Sequence, residues 1–242
     1  MTAPTVVMAP AKLTLDLRIT GIRPDGYHLL DSEMITVDLA DTLTFGPGDG
    51  LEVVGDGGGM AVPAGEENLV RRALAVVGRT ALVRLDKRIP AGGGLGGGSA
   101  DAAAVLRWAG VDDPAVAAQL GADVAFCVVG GRARVGGIGE HIEPLDFGAV
   151  EGRAFTLVTP PFGVSTVAAY RAWDALGQRH ATDGGNDLED AAVAVEPRLA
   201  RWRDELSAAA GQRARLAGSG STWFVEGAFP GPGRVVTRGW RP

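Results

Sequence analysis

Pro90-Ala91-Gly92-Gly93-Gly94-Leu95-Gly96-Gly97-Gly98-Ser99-Ala100-Asp101-Ala102-Ala103-Ala104 sets six glycines within seven residues directly ahead of an alanine-rich, helix-forming segment. Glycine lets a backbone take positive φ and come close to a ligand. A helix start presents unpaired N–H groups at the positive end of its dipole. Together they predict a cradle for an anion, with phosphate the best fit. A flexible glycine linker would read similarly, but linkers seldom lie between a strand-like Ala81–Leu85 and a strong helix.

Two better-known phosphate loops do not fit. Gly92, Gly94 and Gly97 match G-x-G-x-x-G, and Asp112 lies twenty residues beyond Gly92. In a dinucleotide fold that acidic residue ends a second strand. Here Val111-Asp112-Asp113-Pro114 reads as a turn leaving one helix and entering another. No Gly-Lys-Ser/Thr follows the glycines, so the loop is not a Walker motif.

Working outward, the 242 residues allow one large or two modest domains, and two is the expectation. A hydrophobic content of 46% and a charged content of 21% describe an ordinary globular protein. The net charge of −6 offers no basic surface to nucleic acid or an anionic membrane, which favours a small-molecule partner. Met1–Lys12 has no basic start followed by a long apolar core, and no apolar run reaches membrane-spanning length. A lone cysteine, Cys127, lies in the apolar run Val124–Val129 and reads as buried packing in a reducing cytoplasm. Of 23 basic residues only Lys12 and Lys87 are lysines, which raises the question of whether a compact ammonium is needed at each.

Thr5–Met8, Leu13–Thr20 and Ser32–Leu39 read as strands, with Gly21–His28 a turn-rich link, and Leu43–Phe45 and Leu51–Val54 as further short strands. Glu67–Val77 has helical spacing, Ala81–Leu85 is strand-like, and Ala100–Trp108 and Asp113–Leu120 are helices, the latter with Pro114 in its first turn. Val124–Val129 fits strand or helix equally, and Arg132–Val135 fits a strand. After a loop-like Leu145–Arg153, which suggests a boundary near residue 150, come a strand at Phe155–Thr159 and a helix at Thr166–Leu176. A polar link at His180–Asn186 leads to helices within Asp187–Val195 and Pro197–Ala210. Strands close the chain at Arg213–Leu216, Trp223–Glu226 and Val235–Arg238. The expected class is α+β, with units at 1–150 and 151–242.

Several stretches could carry chemistry. Lys12, at the start of a strand, is a point charge that could meet a cradled phosphate, although a lysine at a strand end is commonly a surface group. Asp123 opens an apolar segment and could accept a hydroxyl proton beside a lysine, or simply cap a helix. Tyr27 and His28 follow the tight turn Asp25-Gly26 and could read a nucleobase, or pack against a neighbouring strand. Leu216–Thr222 is a second glycine-serine loop, readable as a hairpin turn or as a cover over phosphates.

Taken together, Pro10-Ala11-Lys12, Asp25-Gly26-Tyr27-His28, Gly92–Ser99 with Ala100-Asp101-Ala102-Ala103, and Gly121-Ala122-Asp123-Val124 resemble motifs of the GHMP small-molecule kinases. Gly137-Ile138-Gly139-Glu140, Gly163-Val164-Ser165-Thr166 and Gly218-Ser219-Gly220-Ser221-Thr222 extend the resemblance in the same order. Asp25–His28 is similar to the branch that phosphorylates a hydroxyl on the methylerythritol moiety of a cytidine diphosphate compound, in the non-mevalonate route to isoprenoid precursors. The resemblance implies ATP as phosphoryl donor, with Mg2+ arriving with it and metal ligands unassigned. It implies Asp123 as the base and Lys12 as its charged partner. Gly92, Gly93, Gly94, Gly96, Gly97, Gly98 and Ser99 would hold the ATP phosphates, with Asn68 and Leu69 near the adenosine. Tyr27 and Tyr170 would stack on the cytosine, and His28 would hydrogen-bond it. The implied fold is an N-terminal unit like the second domain of ribosomal protein S5 joined to a ferredoxin-like C-terminal unit.

The chain departs from that pattern in places. Thr14 stands where the family has asparagine in its acceptor site, and Ala125 stands where it has proline. A threonine offers one hydroxyl where an amide offers a donor and an acceptor, so acceptor binding is the property most exposed to change. The chain is also shorter than is usual in the family, with little room for a helix between Glu226 and Val235 and a compressed Asp101–Leu120 region.

Overall fold

The computed structural model describes residues 4–55, 58, 61–182 and 185–241. Two residues of the predicted polar link, 183 and 184, lie outside them, as do residues 1–3 of the predicted leaderless start. The chain forms two antiparallel-rich sheets with helices against them, an α+β arrangement.

The first sheet is organised by two long strands, β1 (Thr5–Ile22) and β2 (His28–Gly46), paired antiparallel along their full length. The two strand stretches foreseen at Thr5–Met8 and Leu13–Thr20 are thus one strand. Likewise Ser32–Leu39 and Leu43–Phe45 are one. The proline between the first pair, Pro10, sits beside an irregularity where three residues of β2, Val37 to Leu39, oppose the single Ala11. Such a bulge accommodates a residue that cannot donate to a ladder. On its other edge β2 pairs with β4 (Leu82–Asp86) at Thr42–Gly46 and with β5 (Arg132–Gly137) at Leu30–Ile35. β3 (Gly50–Val54) joins β4 in parallel, which the crossover helix α1 (Leu69–Val76) makes possible, and β6 (His141–Pro144) completes the far edge.

Helix α2 (Gly97–Ala109) runs through the centre of the molecule. Every residue from Ala100 to Leu106 is buried, so the helix is covered all round and its alanines allow close approach of α1 and β1. Gly110 in the left-handed region ends it. Asp112 then lies in the link to α3 (Pro114–Ala118), whose cap is Asp113 accepting from the Ala115 N–H at 2.8 Å. The stretch that fitted strand or helix equally is helix α4 (Ala122–Val129). Val124 to Cys127 pack into the core beside α2 and α3, where a strand would find no partner.

After Pro144 the chain leaves the first sheet and enters the second at β7 (Ala154–Val158). Helices α5 (Thr166–Ala175), α6 (Glu189–Val195) and α7 (Leu199–Ala210) follow, then β8 (Arg215–Leu216), β9 (Trp223–Glu226) and β10 (Arg234–Arg238). The strand order β10-β7-β9-β8, antiparallel throughout, is the split β-α-β pattern of ferredoxin-like folds. The second crossover helix of that pattern is replaced by a short turn between Glu226 and Arg234, as the spacing foretold.

The sheets share one core. Phe155 and Leu157 of β7 and Phe224 of β9 pack into the same buried cluster as Leu13, Ile35, Leu95 and Leu106. At the β2 bulge the C-terminal segment adds a rung: Val37 pairs with Gly239, and the Trp240 N–H donates to Thr36 O at 3.1 Å. Among the described residues, no helix is long and apolar enough to cross a membrane.

Candidate active site

The glycine loop folds as a cradle whose last glycines begin α2, three residues ahead of the expected start. Gly92, Gly94 and Gly96 have φ of 73°, 76° and 68°, and Gly96 is the N-cap. The N–H groups of Gly97, Gly98 and Ser99 form the first turn and lack intrahelical partners. That end of the helix is the positive end of its dipole. The cradle separates two cavities. One, of about 370 Å³, is lined by Asn68, Leu69, Lys87, Pro90 and the loop from Gly92 to Ser99. The other, of about 740 Å³, shares Gly92, Gly94, Gly96 and Ser99 and reaches Lys12, Thr14, Asp123, Tyr27, His28 and Tyr170. The candidate nucleotide, acceptor and catalytic residues from the sequence therefore all line one or both of two adjoining cavities, with Asn68, Leu69, Gly93, Gly97 and Gly98 facing only the smaller.

Lys12 projects from β1 next to the bulge, and its own N–H donates to Leu95 O at 3.0 Å, fastening the strand to the cradle. It is 4% exposed. Its ammonium donates to Thr14 Oγ1 at 3.1 Å and lies 3.4 Å from Asp123 Oδ2. The departure at position 14 thus places a hydroxyl directly on the lysine. Asp123 sits in the first turn of α4, not at its cap, which is Gly121. There the helix dipole favours its charge, and a third of its side chain remains open to the cleft.

At the far end, Tyr170 and Asp174 lie one turn apart on α5 and together hold His28. The imidazole stacks on the Tyr170 ring, centroids 4.7 Å apart at 27°, and its Nε2 is 3.0 Å from Asp174 Oδ1. Trp173 meets the same imidazole edge-on at 5.8 Å. Burial, with the Asp123 charge nearby, holds the Tyr170 phenol above its ordinary pKa, so it stays protonated. Tyr27 stands apart at the mouth, 60% exposed, and does not stack on Tyr170. Sequence reasoning did not single out Asp174, although its spacing of four from Tyr170 on a predicted helix puts it on the same face.

The second glycine loop connects β8 and β9 and lies against the first: the Thr222 N–H donates to Gly93 O at 3.1 Å. A Cβ on Gly218 would lie 3.2 Å from Lys12 Nζ. The hairpin reading is therefore borne out, and the turn forms one wall around the lysine.

Lys87, the other lysine, is part of a buried triad beneath the cradle. Its ammonium bonds Asp41 and, at 2.8 Å, Asp101 Oδ2. Burial works against its charge, but Asp101 and Asp41 outweigh that and raise its pKa. Asp41 is further satisfied by the N–H groups of Arg88 and Ile89. Asp101 is not, and its Oδ1 has no partner among the described residues. Burial, opposed by Lys87 and reinforced by Asp41, pushes its carboxyl up to about 7. Cys127 on α4 is buried, its thiol pushed up to about 12 chiefly by that burial, so it is inert packing. Among the described residues, no three His, Cys, Asp or Glu side chains are grouped so that they could hold a metal ion.

The GHMP kinases N terminal domain matches residues 68–131, from the α1 cap to the end of α4. A 4-diphosphocytidyl-2-C-methyl-D-erythritol kinase of Paracoccus denitrificans is 40% identical over 237 residues, covering 89% of this chain and 84% of its own. A crystal structure of 4-(cytidine 5'-diphospho)-2C-methyl-D-erythritol kinase superposes with a TM-score of 0.72 at 35% identity, covering 91% of this chain and 89% of that one. The mevalonate kinase of Methanococcus jannaschii, at 12% identity and a TM-score of 0.60 over 99% of both chains, shares the fold. Identity of 40% across most of both chains exceeds what a common fold alone produces, and this chain belongs to the 4-diphosphocytidyl-2-C-methyl-D-erythritol kinase family of the GHMP kinases.

Proposed function

We propose that the protein transfers the terminal phosphoryl group of ATP to a hydroxyl of 4-diphosphocytidyl-2-C-methyl-D-erythritol, in the non-mevalonate route to isoprenoid precursors. The observation that carries this reading is the Lys12–Asp123 pair, 3.4 Å apart, at the meeting point of the phosphate cradle and the aromatic end of the cleft. Asp123 accepts the hydroxyl proton as the oxygen attacks, and Lys12 stabilises the negative charge that develops on that oxygen. The N–H groups of Gly97, Gly98 and Ser99 and the glycines from Gly92 hold the phosphates, with Asn68 and Leu69 beside the adenosine. Thr14 contacts the acceptor side, and Tyr27, His28 and Tyr170 hold the cytosine. Catalysis is then positioning and electrostatics, without a covalent enzyme intermediate.

Magnesium in kinase sites keeps several waters and is held by few protein oxygens together with substrate phosphates. The donor set here fits that mode, since the Ser99 hydroxyl opens α2 at the cradle and lines both cavities. Bound Mg2+ would neutralise phosphate charge there. The reading divides the chain into a nucleotide-binding unit, 1–150, and a second unit, 151–242, and assigns the protein to the cytoplasm, which its free buried thiol suits.

An ATP-consumption assay on the purified protein tests the reading, with the diphosphocytidyl alcohol, homoserine and mevalonate as acceptors. Turnover with the first alone is expected. Turnover with a plain alcohol instead would move the assignment to another acceptor, the change to which Thr14 most exposes the site. No turnover with any acceptor would leave a nucleotide-binding protein without this chemistry.

A further inference from the structure

Asn186 lies outside the cleft and is 4% exposed, yet it links two parts of the catalytic wall, β1 and the turn after β8. Its backbone forms a parallel bridge with Leu17 of β1, with the Leu17 N–H donating to Gly185 O at 3.1 Å and the Asp187 N–H donating to Leu17 O at 2.9 Å. The next side chain locks this rung: the Asp187 carboxylate accepts from the Ile19 N–H at 2.8 Å and the Ala181 N–H at 2.7 Å, and lies 2.7 Å from His180 Nδ1. From that fixed point the Asn186 amide nitrogen donates twice, to Leu216 O at 2.9 Å and Gly218 O at 2.6 Å. Its Oδ1 accepts from the Leu188 N–H at 2.9 Å.

The turn so held is the wall of the lysine. A Cβ built on Gly218, whose φ is +59°, would lie 3.2 Å from Lys12 Nζ, 3.5 Å from Gly94 O and 3.7 Å from Thr14 Oγ1. The backbone around Asn186 thus fixes it to the strand that carries Lys12, and its side chain ties that point to the turn that confines the ammonium. An asparagine is the suitable residue, because it supplies two N–H donors and one acceptor from a short stem, whereas aspartate supplies no donor and leucine nothing.

We infer that Asn186 is a positioning residue for phosphoryl transfer: it holds the Leu216–Gly218 turn at the spacing from β1 that keeps the Lys12 ammonium against Asp123. The inference rests on the kinase reading given above. Because reacting groups displaced by about an ångström can cost on the order of 100-fold in rate, loss of this tie should act on kcat.

The chain has only two lysines, so protein labelled with 13C at lysine Cε gives one signal from Lys12 and one from Lys87. Asn186→Ala and Asn186→Asp are compared with wild type by these signals, by thermal unfolding, and by kcat and KM for both substrates. Expected are a shifted Lys12 signal, an unmoved Lys87 signal, a kcat lowered by about tenfold or more, and a KM for ATP within about twofold of wild type. Asn186→Asp serves if the alanine variant fails to fold, and the reverse. An unmoved Lys12 signal with full kcat overturns the inference. So does a loss of activity in which both lysine signals collapse together, which is the mark of a merely structural residue. A wild type inactive on every acceptor, with the Lys12 signal still shifted in the variants, overturns the kinase reading while the tie between Asn186 and Lys12 stands.

Discussion

A Cβ placed on Gly96 would lie 2.7 Å from Lys12 Cγ, in the middle of the lysine side chain, where no flexible end can swing away. Gly96 is also in the left-handed region, with φ of 68°. The cradle and the lysine are therefore fitted to one another, and a change in the loop reaches the Lys12–Asp123 pair. Gly96→Ala is expected to lower kcat by about tenfold or more as Lys12 is displaced, beyond the roughly 1 kcal/mol of backbone strain at a left-handed position. Gly98→Ala is the comparison, because its Cβ would meet only Leu69 Cδ1 at an ordinary 3.5 Å. That variant should fold normally and raise the KM for ATP with less effect on kcat. Steady-state kinetics on both variants decide this, and equal effects would separate Lys12 from the cradle.

Among the described residues Asp123 has one partner, Lys12, and its side chain is one-third open to the cleft. Asp123→Asn should lower kcat by about 10² to 10⁴-fold while ATP still binds, the scale of general base catalysis. Its unfolding temperature should fall somewhat, because the buried Lys12 ammonium keeps Thr14 but loses its carboxylate partner. Calorimetric titration with ATP alongside the rate measurement checks both halves, and full turnover would remove Asp123 from the role of base.

The ring beneath His28 gives a test of acceptor recognition. Tyr170→Ala removes the surface on which the imidazole stacks at 4.7 Å. Base-on-aromatic stacking is worth about 1 to 3 kcal/mol, so the KM for the cytidine-bearing acceptor should rise by about tenfold or more. The KM for ATP should barely change, because the cradle lies at the other end of the cleft. Equal rises in both would mean that the pocket has collapsed.

The buried triad predicts a pH dependence of stability. Asp101 holds its proton in the folded protein up to about 7, whereas an unfolded carboxyl releases it near pH 3.9. Between these values the folded state binds more protons, so this group's contribution to stability is largest in acid and is lost as pH rises through about 7. Asp101→Asn removes that titration. The wild-type unfolding temperature should fall more than the variant's between about pH 5 and about pH 8, a comparison for differential scanning calorimetry. Parallel curves would show that Asp101 is ionised throughout. Lys87→Met should destabilise by about 3 to 5 kcal/mol, as it leaves Asp41 and Asp101 in the core without their cation.

Much of this protein is legible in its sequence, because the decisive signals are local. Glycines that permit positive φ followed by alanines that favour a helix give the cradle and α2 from adjacent residues. Asp113-Pro114 gives the start of α3 in the same way, and the short Glu226–Val235 interval leaves no room for a second crossover helix. Pairings between distant residues are a different matter. Whether Val124–Val129 is a strand or a helix depended on α2 and α3 packing around it, since its apolar run suits either period. Periodicity could not show that two strand-like stretches are one strand, because Pro10 reads as a stop until β2 bulges opposite Ala11. Above all, nothing local tells Lys87 from Lys12, or marks Asn186 as the residue that ties β1 to the second glycine loop. Lys12 reaches Asp123 because β1 and α4 meet across α2, and Lys87 is neutralised by Asp41 and Asp101 because β2, β4 and α2 converge. The partners of a buried charge are chosen by chain segments far apart in sequence, and only tertiary structure brings them together.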